Sequence, residues 1–194
     1  MQYSEELNLI KCAQGGDSHA FRKLVEMHQP FAYSVAFRFT GNAPEAEDII
    51  QEVFIKLWKN LGKYKQGIKL TTWLYQIITN QCLDYLKSAS RKHQMKNVEI
   101  KLGKQIRDYT NHEQQVDDQE LLQVVTGLAK QLTPKQQTVF VLRDLEGLSV
   151  EEVCEVLKMS AGKMKSNLYY ARQKIRQDLI QYYKESTKQE YNEL

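Results

Sequence analysis

Apolar residues recur at three- and four-residue steps along almost the whole chain, and nowhere do they alternate as in a half-buried strand. That period commits the chain to helices that pack by one face. Turn-formers are scarce. Three prolines and nine glycines in 194 residues favour long helices over a turn-rich β architecture. The expected fold is all-α.

Breaks in the pattern separate the elements. A first helix covers roughly Ser4 to Gln14 and ends at Gly15-Gly16. Asp17 or Ser18 caps a second, which runs through Phe21, Leu24 and Val25 to about His28. Pro30 interrupts, and another helix with Tyr33, Val35, Phe37 and Phe39 follows as far as Gly41. Asn42 to Asp48 opens the clearest helix of this half, with Pro44 in the first turn and acids at the positive end of the dipole. Its stripe of Ile49, Ile50, Val53, Phe54, Leu57, Trp58 and Leu61 reads as core. A lysine-rich loop, Gly62 to Leu70, precedes a helix capped by Thr71 or Thr72, with Leu74, Ile77, Ile78, Cys82 and Leu86 inside. Trp73 and Tyr85 suit either core packing or an exposed flat ring, and core packing is the expected role.

From about Ser88 to Asp118 polar residues dominate. Such a stretch reads as a linker, able to reach ~100 Å when extended or roughly 30 Å as a coil. A linker that long argues for two small helical domains standing apart on something. The expected division is 1–88, a polar linker over 89–117, a second domain over 118–186 and a tail over 187–194. In the second domain Leu121, Leu122, Val125, Leu128 and Leu132 form a stripe. Thr133-Pro134-Lys135-Gln136 starts a helix that runs to about Leu145 and ends at Gly147. Ser149-Val150-Glu151-Glu152 is a capping box, Lys158-Met159 a tight turn, and Ser160 the cap of a last long helix. The chain after Tyr183 is polar and expected to fray.

Several function classes are disfavoured. There is no dinucleotide or P-loop glycine motif, no H-E-x-x-H and no nucleophile elbow. His19, His28, His93 and His112 stand singly, so no metal, no cofactor and no enzymatic activity are expected. Cys12, Cys82 and Cys154 are scattered without a C-x-x-C pair, as in a reduced compartment. The N-terminal residues lack a signal-like pattern and no apolar run is long enough to span a bilayer, so a cytoplasmic location without membrane insertion is expected.

Net charge is only +3, so its placement matters more than its sum. Residues 149–168 have the proportions of a helix-turn-helix, and its second helix continues to Arg176. No acid lies between Ser160 and Arg176, while Lys163, Lys165, Arg172, Lys174 and Arg176 do. Lys165, Ser166, Tyr169, Tyr170 and Arg172 lie near the face opposite Met164, Leu168 and Ile175. A helix entering a major groove needs this arrangement of apolar back and long donors.

The stretches 132–153 and 160–176 resemble region 4 of the sigma-70 family of RNA polymerase sigma factors, in its extracytoplasmic-function subfamily. By that resemblance Ser160, Lys163, Lys165, Ser166, Asn167, Tyr169, Tyr170 and Arg172 fall at positions that read the −35 element. This chain departs from the pattern in places. Cys154 stands where alanine is usual, and Lys158 replaces a turn glycine, implying a less open turn. Lys163-Met164 replaces Thr-Val, and Asn167 and Tyr170 stand where arginine is frequent. The −35 preference therefore cannot be borrowed from relatives.

Residues 45–60 resemble region 2.2, which implies a polymerase-docking face of Asp48, Gln51, Glu52 and Ile55. Residues 71–87 resemble regions 2.3 and 2.4, which melt and hold the −10 element. Lysines and flat rings suit single-stranded DNA. Lys63, Tyr64, Lys65 and Lys69 would supply the charged loop, and Tyr75, Gln76, Thr79 and Asn80 a stacking ring and hydrogen-bonding groups. The implied partners are core RNA polymerase, duplex −35 DNA, single-stranded −10 DNA and an anti-sigma factor. Two other readings remain at this point. One is a stand-alone helix-turn-helix transcriptional regulator, which would bind duplex DNA tightly without polymerase. The other is a plain interaction bundle, which would ignore nucleic acid.

Overall fold

The computed structural model describes the backbone of residues 2–64, 69–96 and 117–192, and the side chains of 5–64, 69–88 and 121–184. Among them there is helix and no strand. The chain divides into two compact units, one of Met1–Asp84 with Glu155–Lys158 and the other of Tyr85–Cys154 and Met159–Leu194.

The N-terminal unit holds α1 (Gln2–Gln14), α2 (Ser18–Thr40), α3 (Ala43–Asn60), a 3-10 turn (Leu61–Lys63) and the start of α4 (Leu70–Lys96). Asp17, not Ser18, caps α2, its carboxylate accepting from the N–H groups of His19 and Ala20. α2 is one helix with Pro30 inside it, where the sequence pattern predicts a break. Packing explains the difference. Pro30 is exposed, while Leu24, Ala32, Val35 and Phe39 are buried along one stripe on both sides of it. Burying each large apolar side chain contributes about 1.5–3 kcal/mol. Together they outweigh the ~3 kcal/mol that an interior proline costs.

Asn42 caps α3 by accepting from Glu45 N–H. Ile50, Val53, Phe54 and Leu57 are buried as expected, but Trp58 is not core. It is 39% exposed, with its ring tilted against Phe21 at 4.7 Å. It sits one turn past the exposed Ile55, at the edge of the stripe. Neither threonine caps α4. The helix begins at Leu70, and the N–H groups of Thr72 and Trp73 bond to Lys69 O at 3.0 and 3.3 Å. Cross-ties hold the unit: Glu6 Oε1 lies 2.8 Å from His28 Nε2 between α1 and α2, and Lys56 Nζ donates to Gln81 between α3 and α4. α4 runs to Lys96, well past Ser88. Most of the expected linker lies outside the described residues.

The C-terminal half of the chain holds α5 (Asp117–Ala129), α6 (Pro134–Phe140), a π-helical segment (Val141–Leu145), α7 (Val150–Leu157) and α8 (Ala161–Asn192). Leu128, Ala129 and Leu132 from α5 and its end pack with Phe140, Ala171 and Ile175. Leu121 and Leu122, expected inside, are exposed. The Thr133 and Gln136 capping box forms in both directions. What reads as one helix to Leu145 widens at Val141, where Glu146 N–H reaches back to Val141 O at 2.9 Å. α8 continues as helix beyond Tyr183 to Asn192, where fraying was expected.

Candidate nucleic-acid interface

The helix-turn-helix is built from two caps and one left-handed residue. Ser149 N–H donates to Glu152 Oε2 at 2.7 Å, and Glu152 N–H donates to Ser149 Oγ at 3.1 Å. These bonds satisfy orphan donors at the start of α7. α7 ends in a Schellman-type closure, with Met159 N–H bonded to Cys154 O at 3.2 Å. Lys158 has φ +49° there. It adopts the open left-handed turn that its replacement of glycine argued against. Ser160 Oγ then accepts from Lys163 N–H at 3.5 Å, and Ser160 O from Met164 N–H at 3.0 Å.

α8 separates its faces. Met164, Leu168, Ala171 and Ile175 are buried, whereas Ser160, Lys163, Lys165, Ser166 and Arg176 are exposed. Tyr169 and Tyr170 are 63% and 55% exposed, with their rings edge-to-face at 5.5 Å. Lys165, Leu168, Tyr169, Arg172, Gln173 and Arg176 line a shallow groove along this face. Two predicted reading residues are engaged within the protein. Asn167 Nδ2 donates to Lys163 O at 2.8 Å on its own helix. Arg172 Nε and Nη2 donate to Asp144 Oδ2 and Oδ1 at 2.8 and 2.6 Å. Asp144, from the π-helical segment, went unnoticed in the sequence because the contact spans 28 residues. The turn that carries Asp144 is fixed by Arg143 Nη1, which donates to Leu148 O at 2.8 Å.

In the N-terminal unit, Asp48, Gln51, Glu52 and Ile55 share the outward face of α3 and are all exposed. Trp58 extends that face, and only its i+3 spacing from Ile55 signalled it. Near the other predicted site, Lys63 and Lys69 are exposed and Tyr64 is half-buried, its ring 5.5 Å from that of the half-buried Trp73. Lys63 Nζ donates to Asn60 Oδ1 at 3.0 Å, and Lys65 lies outside the described residues. Along α4 Asn80 is exposed and Gln76 half-buried. Tyr75 is half-buried, with Phe31 edge-on at 4.8 Å. Thr79 is misassigned. It is 1% exposed, because the helical period sets it between the buried Ile78 and Cys82. Its Oγ1 has no hydrogen-bond partner among the described residues. It cannot reach a nucleic acid. No group of three or more His, Cys, Asp or Glu side chains is arranged to hold a metal among the described residues.

Residues 24–92 match sigma-70 region 2, and residues 122–175 match sigma-70 region 4. The sigma-E factor of Escherichia coli K12 is 30% identical over 183 residues, covering 89% of this chain and 94% of that one. The chain belongs to the extracytoplasmic-function sigma factors of the sigma-70 family. The SigW sigma factor of Bacillus subtilis is 29% identical over 177 residues, covering 88% of this chain and 94% of its own. The sigma factor RpoE of Bartonella quintana, solved with the anti-sigma factor NepR, shares the fold with a TM-score of 0.60 at 20% identity, over 82% of this chain and 96% of that one. CnrH, solved with the cytosolic domain of CnrY, does so at 0.62 and 22% identity, over 90% and 97%. This sigma factor directs RNA polymerase to promoters and initiates DNA-templated transcription. A stand-alone regulator would leave the region 2 match unexplained. No described helix of the sigma factor is long and apolar enough to cross a membrane.

Proposed function

We propose a division of labour in which residues 1–88 dock on core polymerase and hold the opened −10 strand, while 118–186 read the −35 duplex. The segment 89–117 spans the distance between the two promoter elements. The protein acts in the cytoplasm as a specificity subunit and catalyses nothing itself. The observation that carries this reading is the exposed, acid-free face of α8 between Ser160 and Arg176. Lys163, Lys165, Ser166, Tyr169 and Tyr170 meet base edges and phosphates, and the α8 N-terminus favours a phosphate. Arg172 joins them from an orientation set by Asp144. Asn167 has one amide N–H committed to the backbone, which leaves its other N–H and its oxygen for DNA.

Lys63, Tyr64 and Lys69 form the basic approach to the −10 strand, with Lys65 adjacent in sequence and Tyr75, Gln76 and Asn80 along α4. The exposed α3 face of Asp48, Gln51, Glu52 and Ile55, with Trp58 beside it, docks on polymerase. An apolar centre edged by polar groups suits a protein interface. The solved relatives carry anti-sigma partners, and a partner of that kind holds this sigma factor inactive. Run-off transcription with core polymerase over genomic promoters tests the reading. New start sites should appear only when the protein is added, and Glu52→Lys should abolish them by lowering co-purification with polymerase. Tight, specific duplex binding without polymerase, and no new start sites with it, would refute the division.

A further inference from the structure

We propose that Gln14, the last residue of α1, is a positioning residue for promoter opening: it latches the turn that carries Lys63 and Tyr64 of the −10 site. Its Nε2 donates to Leu61 O at 3.0 Å and to Tyr64 O at 3.2 Å. Those carbonyls bracket the 3-10 turn Leu61–Lys63, whose own closing bond runs from Tyr64 N–H to Leu61 O at 3.0 Å. One amide therefore fastens both ends of the turn.

Both sides of the latch are anchored. Ile10 and Ala13 bury the inner face of α1, and Gly16, at φ +94°, turns the chain directly into the Asp17 cap of α2. On the far side Leu61 is buried, and the Tyr64 ring lies against Trp73 in the first turn of α4. Gln14 itself is exposed, so its polar head, rather than packing, makes its contribution. It also lies outside the region 2 match, which begins at residue 24. The direction in which Lys63 and Tyr64 are offered to DNA thus depends on a side chain from α1. A turn already fixed loses less entropy when its side chains capture an unpaired base. With the latch gone, opening slows while polymerase docking and −35 binding are untouched.

The inference rests on the −10 assignment above, and the experiment separates the two. Gln14→Glu keeps the shape but sets acceptor oxygens against two carbonyls; Gln14→Leu removes the donor without adding charge. In holoenzyme on a duplex promoter, both should lower permanganate reactivity of −10 thymines by about three- to tenfold, the scale of one or two partly exposed hydrogen bonds. On a template already unpaired at −10 both should recover to within about twofold, at unchanged polymerase affinity and thermal midpoint. Normal opening in both variants, with opening impaired by Lys63→Ala and Tyr64→Ala, overturns the role of Gln14 and leaves the −10 assignment standing. Normal opening in all four variants overturns both. A defect that persists on the unpaired template, or that tracks a lowered thermal midpoint in both Gln14 variants, marks a purely structural role and also overturns the inference.

Discussion

Arg172 answers to two partners. Its hydrogen bonds to Asp144 raise its pKa above the ordinary value, partial burial opposes them, and the Asp144 charge adds to the rise, so the guanidinium stays charged at any working pH. The Arg172 side chain is 57% exposed, which limits the pair to under about 1 kcal/mol of stability. Its effect is on orientation. We therefore expect Asp144→Ala to weaken binding of a −35 duplex, and to have no further effect once Arg172→Ala is present. A double-mutant cycle in a fluorescence binding assay measures that coupling, and additive losses would contradict it. Cys82 makes a second prediction at this scale. Burial pushes its thiol pKa far up, so the neutral form persists and does not act as a nucleophile. At neutral pH an alkylating reagent should label exposed Cys12 and spare Cys82 until the protein unfolds, as peptide mass spectrometry reports. The sign for stability follows. A neutral thiol inside contributes stability below the ordinary thiol pKa of about 8.5, and that contribution is lost as the pH climbs above it.

Two elements carry backbone costs that packing tolerates. α2 runs through Pro30 without its N–H, so Pro30→Ala on that exposed position should restore a bond to residue 26. The gain should be about 1–3 kcal/mol, seen as a higher denaturation midpoint at unchanged helix content. In the helix-turn-helix, Lys158 occupies the left-handed region at φ +49°. A non-glycine residue there costs about 1–2 kcal/mol, and glycine loses about 0.5–1 kcal/mol of that advantage through chain entropy. Lys158→Gly should then stabilise the protein by roughly 0.5–1 kcal/mol, whereas Lys158→Ala should not. Thermal melts of the two variants decide the matter.

For the whole molecule, a net charge of +3 hides local clusters of like sign. The exposed face of α3 presents Asp48 and Glu52, and that of α8 presents Lys163, Lys165 and Arg176, which have no acidic partner among the described residues. A patch of that kind binds phosphates by releasing counterions. Lys165→Ala should weaken −35 duplex binding and lower the log–log salt slope by about 1 if Lys165 meets a phosphate. If the lysine instead reads a base, affinity should fall for the cognate sequence alone, and titrations on cognate and scrambled duplexes at several salt concentrations separate the two.

Local chemistry was legible in the sequence wherever it acts within a turn or two of helix. The Thr133 and Ser149 capping boxes, the helix start at 42–48, the glycine stops and the buried stripe of α8 all formed where residue pattern places them, because each depends on partners three or four positions away. Tertiary structure alone decided the rest. It carried α2 through Pro30, since buried side chains on both sides outweigh one missing bond. It turned Thr79 inward and left Trp58 at the surface, since a residue at the border of a stripe takes its side from the neighbours that pack there. It also joined Arg172 to Asp144 and Gln14 to Leu61 and Tyr64, pairs separated by 28, 47 and 50 residues. No periodicity encodes such pairs, because only folding brings their donors and acceptors within reach.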